Sequence, residues 1–450
     1  MTMQLKSTFL VGLVAIAVAR VAFAGVSPAE AAKLKAELTP LGAERAGNKD
    51  GTIPAWTGGL TTPTPGYDGG RRPDPFKDEK PLFSITAKNM AQYESKLSDG
   101  VTAMLKRYPD SYRIDVYPTH RTAAAPQWVY DNTAKNAVNG SMDGKMPTGV
   151  SGGIPFPVSP TAEQVMWNHL LRWRGTDVQM HINAVQMTAD GRQIVTTDGV
   201  VDQQHPYYIQ DLPASARNDY WLIRLFNIGP PIRAGEAVVG HENLDVDKTQ
   251  TWVYLTGQRR VRKLPLACCD TPAAATAGLM SYDEIGVWGG RMDRFDWKLI
   301  GKQEIFIPYN SNRSLVPTAI GDLVAPKHLN PDHVRWELHR VWVVEATLRQ
   351  GQRHQVSRSR YYIDEDSWIA ILGDRWDGNG QLWKTLWALP FAMPDLPGVY
   401  QGPNGFYDLL SGSYFANDVS TAKKVQVKVM PQHYKDSVFT PEAMAGEGLR

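Results

Sequence analysis

From about residue 177 onward, apolar and polar positions alternate along the chain. Alternation with a period of two is typical of β-strands that have one buried and one polar face. The longest such run covers residues 335–348, where Arg340 interrupts an otherwise apolar face. Because an unpaired buried charge is costly, we expect Arg340 to meet a buried carboxylate or to lie near the end of the sheet. Further strands are predicted at 354–364, 367–372 and 381–389.

Turn sequences between alternating runs predict three hairpins, each with a glycine that can accept the positive φ of a tight turn. The paired runs are residues 178–187 with 193–201, 252–255 with 260–264, and 295–300 with 303–307. The third turn is formed by Gly301 and Lys302. No stretch of helical crossover length separates these strands, so an antiparallel sheet is favoured over a parallel one.

Apolar positions spaced three or four residues apart predict two longer helices, at residues 86–108 and 161–173. A short helix is predicted to begin near Ser27, which forms a capping-box pattern with Glu30. Between residues 42 and 81, many Gly, Pro and Asp residues leave no periodic pattern. This segment is expected to wrap the surface as an ordered loop or to stay mobile.

The composition fits a sheet protein and narrows the class of function. The 450 residues include 14 Trp, 18 Tyr and 12 Phe beside 39 Gly and 31 Pro, as in aromatic strands joined by many turns. With 48 Lys and Arg against 46 Asp and Glu, the formal net charge of +2 does not indicate a polybasic nucleic-acid binder. The sequence contains neither a phosphate-binding glycine loop nor an aromatic-basic RNA-binding motif. We therefore expect no nucleotide cofactor and no nucleic-acid partner.

The first 24 residues have the features of a cleaved secretory signal. Lys6 precedes an apolar run at residues 9–19, and the small residues Ala22 and Ala24 suit signal peptidase. The run is shorter than the roughly 20 residues of a membrane span, so no integral span is expected. We predict cleavage after Ala24 and a periplasmic location, which includes a peripheral position at the outer membrane.

The chain is expected to fold as one large sheet domain with smaller additions at both ends. The predicted parts are a signal peptide (1–24), an N-terminal helix with the Gly/Pro-rich wrapping segment (25–85), a single domain with helical lid elements at 86–108 and 161–173 (86–441), and a frayed tail (442–450). Export would permit disulfides, but Cys268 and Cys269 are adjacent and cannot close a long loop. They are expected to form a vicinal disulfide or two free thiols.

Motifs that would indicate catalysis or metal binding have little support. Ser151 lies in a G-x-S-x-G string, but the preceding strand and following helix that a serine hydrolase needs are not predicted there. The spacings of His328, His333 and His339 match no recurrent zinc pattern. We expect no catalytic residue, no metal site and no cofactor.

Five strings of the chain carry a family resemblance: GNKDGTIPAWTGG (47–59), GGIPFPVSPTAEQVMWNHLLRWRG (152–175), TWVYLTGQRRVRKLP (251–265), FDWKLIGKQEIFIPYN (295–310) and VRWELHRVWVVEATLRQGQRHQVSRSRYYIDEDSW (334–368). They resemble an uncharacterised family of exported proteins of Gram-negative bacteria. This domain of unknown function is named outer-membrane lipoprotein-sorting protein, after its similarity to the periplasmic lipoprotein carriers LolA and LolB.

The resemblance implies an α+β fold: a curved antiparallel sheet that forms an incomplete, half-open β-barrel, covered by helices and bearing long Pro/Gly-rich surface loops. An apolar concave face of this kind shelters acyl chains from water. Members are often encoded beside resistance-nodulation-division transporters and an outer-membrane barrel protein, which the resemblance implies as partners. The family has no established catalytic residues, so none is transferred to this chain.

The sequence therefore predicts a periplasmic carrier or chaperone that binds a lipid, a lipoprotein acyl chain or another hydrophobic molecule in traffic to or from the outer membrane. The predicted cavity lining consists of Trp252, Tyr254, Trp336, Leu338, Trp342, Val344 and Leu348. The predicted lid consists of Met90, Tyr93, Leu97, Met166, Trp167 and Leu170. Contacts with a ligand's head group are expected from Arg260, Arg262, Arg340 and Arg358. The lining side chains fit an ordinary hydrophobic core equally well.

Two other functions fit the sequence less well. One is a non-enzymatic adaptor that links an inner-membrane exporter to the outer membrane through the surface of residues 42–81. The other is a hydrolase acting on lipid or cell-wall material, which would require Ser151 or the histidines between residues 328 and 339.

Overall fold

The computed structural model describes residues 25–420 and 427–447, and the predicted signal peptide lies outside them. The α-helices are α1 (Pro28–Ala31), α2 (Asp99–Arg107), α3 (Gln127–Asn139), α4 (Ala162–Leu170), α5 (Ile320–Leu323) and α6 (Pro441–Glu447). The β-strands are β1 (Phe83–Ile85), β2 (Ile114–Val116), β3 (Ser141–Asp143), β4 (Met146–Thr148), β5 (Asp177–Met187), β6 (Gln193–Gln204), β7 (Asp219–Gly229), β8 (Ala237–Asn243), β9 (Gln250–Leu255), β10 (Arg260–Lys263), β11 (Phe295–Pro308), β12 (Trp336–Leu348), β13 (Val356–Asp364), β14 (Ala370–Asp377), β15 (Leu382–Ala388), β16 (Phe391–Met393), β17 (Gly398–Tyr400), β18 (Asn404–Asp408), β19 (Tyr414–Val419) and β20 (Val427–Val429).

Sixteen of these strands form one sheet in the order β1-β2-β12-β13-β14-β15-β18-β19-β5-β6-β7-β8-β9-β10, with β11 paired to β12 and β20 to β5. Among the strands described, β2 and β12 form the one parallel pair, so the sheet is mixed but almost wholly antiparallel. The predicted antiparallel sheet is therefore present, whereas β1 and β10 end it and it is not closed into a barrel. Strands outnumber helices throughout the described chain.

The sheet curves around α4. β12 and β7 stand eight positions apart in the sheet order, which in a flat sheet would separate them by about 38 Å. Yet α4 packs against β12, and the Trp167 ring on α4 lies 6.1 Å from the Tyr220 ring on β7. Because an α-helix is only about 10 Å wide, both strands can reach it only if the sheet bends. We call the side that faces α4 the inner face and the opposite side the outer face.

Each face of the sheet has its own hydrophobic core. The inner core surrounds α4 and contains fully buried residues such as Trp167, Trp368 and Phe391. The outer core lies under α2 and contains Met104 and Leu105. In the residues described, no helix is both long and apolar enough to cross a membrane.

Two of the three predicted hairpins are confirmed. β5 pairs with β6 and β9 pairs with β10, and Gly191 adopts the positive φ of 87° that the first turn requires. The third prediction is wrong, because β11 runs unbroken through Gly301 and pairs along its whole length with β12. Gly301, with φ of 129°, lies at a register shift next to Leu299. The glycine marks a β-bulge, in which one extra residue bends the strand without reversing it.

The single helix predicted at residues 86–108 is also wrong. The segment forms a 3₁₀ helix at Met90–Lys96 and then α2, separated by Leu97 in extended conformation. The Ser98 hydroxyl accepts a hydrogen bond from the Val101 amide at 3.2 Å and starts α2 anew. Gly100 packs so closely against β14 and β15 that a Cβ atom there would lie 2.2 Å from an oxygen of Asp374. By contrast, the helix predicted at 161–173 is present as α4.

Both ends of the described chain are ordered. The capping box of Ser27 and Glu30 starts α1 as predicted. The wrapping segment follows the surface as an ordered loop, where Arg72 forms an ion pair with Asp395 at 2.7 Å. The tail was expected to fray from residue 442, but Pro441–Glu447 forms α6, because Met444 is buried against β8 and β9. The helix α3 was not predicted from the sequence.

Candidate functional site

A concave site lies on the inner face, between α4, β7, β8 and the segment of residues 264–294. It has a volume of about 300 Å³, and we call it the inner cavity. Aromatic and apolar side chains contribute much of its wall: Trp167, Leu170, Tyr220, Trp221, Leu266 and Met292. Leu266 is 52% exposed and therefore lies at the rim, whereas Trp167 is fully buried. The rest of the wall is polar and includes Lys145, Glu242, Asp247, Arg291 and Asp293. The cavity is therefore aromatic and closed at Trp167 and open at Leu266.

The position of α4 follows from its sequence. The Thr161 hydroxyl accepts from the Gln164 amide, and the Gln164 side chain accepts from the Thr161 amide at 2.8 Å, which completes a capping box. Gly175 then turns the chain into β5 with a φ of 85°. The residues between helix and turn include Arg172 and Arg174, which are thereby held against the inner face.

A loop of the 264–294 segment closes the site over α4. The Ala370 amide of β14 donates to Nδ1 of His169 at 2.9 Å, so Nε2 carries the proton and donates to the Trp288 carbonyl at 2.9 Å. Gln401 donates to the Gly286 carbonyl at 2.9 Å. His169 and Gln401 therefore attach this loop to the helix and the sheet.

A smaller cavity of about 70 Å³ adjoins the inner cavity and shares Leu170, Tyr220 and Trp221 with it. We call it the arginine cavity, because the guanidinium groups of Arg172 and Arg174 both line it. Arg172 is 4% exposed and donates to the His169 carbonyl and the Gln401 side-chain carbonyl. Both acceptors are neutral.

Arg174 has still fewer protein partners. Its guanidinium lies 4.9 Å from the centre of the Trp221 ring, and its hydrogen bond within the described chain is a long one, 3.4 Å to the Leu170 carbonyl. Within the described residues, no carboxylate lies within 4.0 Å of Arg172 or Arg174. Arg174 is half-buried, lines the cavity and has one long hydrogen bond to the protein within the described residues.

Burial shapes the ionisation of this site. Burial, and secondarily the charge of Arg174, holds the pKa of the Arg172 guanidinium well below its ordinary value. Burial raises the pKa of Glu242 to about 7, although a hydrogen bond from Thr249 and the charge of Arg174 oppose the rise. It also raises the pKa of Asp418 to about 6 against a hydrogen bond from Asn404. The two carboxyls in the walls are therefore weak counter-ions for the arginines.

A second cluster of buried charge lies where the start of β12 pairs with the end of β13. We call it the His339 network. Its members are Arg121, Arg335, Glu337, His339, Arg340, Asp364, Glu365 and Asp366. Arg121 binds both carboxylate oxygens of Asp366, at 2.7 and 2.8 Å. Arg340 donates to Glu365 at 2.6 Å, which confirms the buried carboxylate expected for it.

The His339 network does not fit a metal ion. Potential ligand atoms of His339, Asp364 and Asp366 lie within 4.8 Å of one another. However, Arg121 already donates hydrogen bonds to both carboxylate oxygens of Asp366. Burial lowers the pKa of His339, but its interactions with Asp364 and Glu337 outweigh burial and raise it to about 9. In this structure these residues therefore form an ion-pair network.

The predicted cavity lining is divided among three places. Trp342, Val344 and Leu348 belong to the inner core or pack against it. Trp336 and Leu338 belong to the outer core, where Trp336 lines a space of about 30 Å³ that is too small for an acyl chain. The remaining two, Trp252 and Tyr254, pack near α6 in a small third cluster. The structure does not bring the seven residues into one cavity.

The predicted lid is similarly divided. Trp167 and Leu170 line the inner cavity, and Met166 is buried in the inner core beside them. Met90, Tyr93 and Leu97 lie at the outer core, on the other side of the sheet. The lid over the inner cavity is therefore α4 together with the 264–294 segment.

The four arginines expected at a head group do not meet. Arg260 and Arg262 are exposed on β10. Arg340 belongs to the His339 network. The guanidinium of Arg358 lies 3.7 Å from the centre of the Trp376 ring, on a half-exposed strand face. The two arginines that line one cavity together are Arg172 and Arg174, which the sequence pattern did not indicate.

The remaining candidate residues have ordinary structural partners. The Ser151 hydroxyl accepts from Arg217 at 2.7 Å in a loop that follows β4. His328 bonds to Ser111 at 2.9 Å, far from the ion pairs of His339. Cys268 and Cys269 form a vicinal disulfide, and Cys268 contributes to the wall of the inner cavity.

Comparisons with known proteins identify relatives of this chain. The sequence profile of the family described as "Protein of unknown function (DUF1329)" matches residues 84–445. The "Uncharacterized protein PA3922" of Pseudomonas aeruginosa is 39% identical over 436 residues, which cover 95% of each chain.

Two solved structures share part of the architecture. A DUF1329 family protein from Desulfovibrio piger has 14% identity and a TM-score of 0.40, covering 60% of this chain and 92% of its own. The LolA superfamily protein NE2245 from Nitrosomonas europaea has 12% identity and a TM-score of 0.37, covering 63% of this chain and 100% of its own. At such low scores, neither structure supports an inference about the function of this chain.

Proposed function

The chain belongs to the DUF1329 family, and we propose that it is a carrier that holds one hydrophobic molecule in the inner cavity. The observation that carries this proposal is a cavity of about 300 Å³ under α4, on the concave side of the sheet. Small-molecule sites begin at about this size. Binding and release are the proposed activity, and no chemical step is required.

The cavity wall can retain an alkyl chain without a charged anchor. Each buried methylene contributes about 0.8 kcal/mol. Against Trp167, Trp221 and Met292, a chain of about ten methylenes would gain roughly 8 kcal/mol before the costs of association. A net binding free energy of about 8 kcal/mol corresponds to a Kd near 1 μM. Contacts between the ligand and the rest of the cavity wall would have to offset the loss of translational and rotational freedom on binding.

The proposal includes a periplasmic location and transfer of the ligand to or from the outer membrane. It is supported by the secretory features of residues 1–24. A resistance-nodulation-division transporter and an outer-membrane barrel protein are the proposed partners, on the resemblance described above. Leu266, exposed at the rim, marks the side where a ligand would enter.

Titration with a fluorescent fatty acid tests the carrier. Leu266→Trp adds bulk at the rim, and we expect it to weaken binding of the probe by about tenfold or more, since the cavity has little spare volume. Leu410→Trp is the matched control, because Leu410 is also 52% exposed and lies in the turn after β18. It should bind the probe like the wild type.

Two results would contradict the carrier. One is a wild-type protein that takes up no acyl probe, and the other is an equal effect of the two tryptophan substitutions. A protein that takes up no probe but captures a transporter, with or without the Leu266→Trp substitution, would favour the adaptor alternative.

A further inference from the structure

The arginine cavity adds a chemical requirement to the ligand. We infer that Arg172 and Arg174 bind the anionic head group of an amphiphile, such as a phosphate or carboxylate, whose hydrocarbon chain occupies the adjoining inner cavity. This inference rests on the carrier function proposed above, and it names the class of ligand.

The first observation is that neither arginine forms an ion pair with a carboxylate of the described residues, although Asp418 lines the same cavity. Arg172 is almost fully buried and bonds to two neutral carbonyl oxygens, and Arg174 has one long hydrogen bond to a third. Two guanidinium groups one residue apart also repel each other. Placing them together at a buried site is unfavourable unless an anion joins them.

The second observation is the geometry of the two cavities. They share Leu170, Tyr220 and Trp221, so a single molecule can contact both. In the described chain, the Tyr220 hydroxyl has no hydrogen-bond partner, although it lies in the shared wall. It can donate to a head group held by the arginines. Two arginines beside the aromatic and apolar part of the inner cavity wall fit an amphiphile better than a purely hydrocarbon ligand.

The third observation is that arginine suits this task. A guanidinium presents N–H groups in a planar fork that bind two oxygens of a phosphate or carboxylate at once. The Trp221 ring, 4.9 Å from Arg174, holds that fork in place by a cation–π contact. A second, weaker charge-assisted contact from Arg172 would fix the orientation of the head group.

Calorimetric titration with three probes tests the inference: decyl phosphate, 1-decanol and inorganic phosphate. The wild type should bind decyl phosphate at least about tenfold more tightly than decanol, because a paired charge replaces an unpaired one. Arg174→Gln should reduce this preference to about threefold or less while leaving decanol binding unchanged. Arg174→Lys, which keeps the charge, should retain most of the preference.

Arg217→Gln is the matched control for loss of one positive charge. Arg217 is a half-buried arginine that bonds to the Ser151 hydroxyl and lines neither cavity. Its substitution should leave the preference for decyl phosphate unchanged. If Arg174→Gln does not fold, the preference of the wild type for decyl phosphate over decanol, and its retention by Arg174→Lys, still decide the question.

Each other outcome identifies which idea has failed. Equal binding of decyl phosphate and decanol by the wild type would overturn the anionic head group and leave the carrier intact. Inorganic phosphate that binds as tightly as decyl phosphate would show a site for a free anion and overturn the amphiphile. Failure of both decyl probes to bind would contradict the carrier itself.

Discussion

The His339 network and the arginine cavity are two clusters of buried charge on one sheet, and they are balanced in opposite ways. In the His339 network, each cation faces a carboxylate, as Arg121 faces Asp366 at 2.7 Å. In the arginine cavity, Arg172 and Arg174 face carbonyl oxygens, an aromatic ring and empty volume. The first cluster is complete within the protein, whereas the second is completed by an anion from outside.

The difference shows that buried charge by itself does not mark a functional site. The His339 network has more ionisable groups, yet its arginines are paired with carboxylates of the described chain. What marks the arginine cavity is the combination of unbalanced charge and adjoining volume. The following changes should separate the two clusters, from the largest expected effect to the smallest.

Glu337→Gln should have the largest effect, because it removes a charge on which the His339 network converges. Glu337 accepts from Arg335, from His339 at 3.0 Å and from the His120 amide at 2.9 Å. Its loss leaves two buried cations short of a partner, which should lower the free energy of unfolding by about 3–5 kcal/mol. Urea unfolding measures this change, and decyl phosphate binding by the folded variant should not change.

Glu304→Gln serves as the control on the neighbouring strand. Glu304 is half-buried and accepts one hydrogen bond, from Asn48 at 3.1 Å. Its substitution should change the free energy of unfolding by less than about 1 kcal/mol. Equal destabilisation by both substitutions would contradict the view that the ion pairs of the His339 network stabilise the fold more than an isolated carboxylate does.

The stability supplied by His339 should depend on pH. Its pKa is raised from 6.5 to about 9 in the folded protein, so its contribution is fully present below pH 6.5 and is lost as the pH rises through 9. On the acidic side, the lowered pKa values of Glu337 and Asp364 make their contributions fall away as the pH drops.

Urea midpoints across this pH range should therefore fall between pH 6.5 and 9 in the wild type. The decline should amount to about 2 kcal/mol in unfolding free energy. His339→Gln should be less stable than the wild type at neutral pH. Its unfolding free energy should also fall less steeply between pH 6.5 and 9. An identical alkaline limb in both proteins would mean that other groups cause the loss.

Arg174→Met should have a smaller effect of the opposite sign. It removes a half-buried charge that has no ion pair and keeps an unbranched apolar side chain, so the ligand-free protein should become more stable by about 1 kcal/mol. Urea unfolding of ligand-free protein measures this change. Destabilisation as large as that of Glu337→Gln would mean that Arg174 is a structural residue, and the contrast between the clusters would be lost.

Much of the fold could be predicted from local pattern. Alternation identified the long strands, apolar positions three or four residues apart located α4, and the five strings led to the family to which the chain belongs. The prediction failed at Gly301, where a positive φ suits a turn and a bulge equally well. The turn and the bulge are distinguished only by the pairing of β11 with β12, a strand that begins more than thirty residues after Gly301.

The site was harder to predict, because alternation shows which residues share a face but not what covers it. Trp342 and Trp336 share a pattern, yet the first packs at the inner core and the second in the outer core. Arg172 and Arg174 are two ordinary surface-type residues in the sequence. Their lack of counter-ions appears only when β18, β19 and the 264–294 segment are brought around α4.

The most direct test of the account is native mass spectrometry of the full chain purified from the periplasm, followed by solvent extraction. The account predicts one equivalent of an amphiphile with a phosphate or carboxylate group, and loss of that molecule from Arg174→Gln protein. An empty protein that also takes up neither decyl phosphate nor decanol would contradict the central claim that the inner cavity holds a ligand.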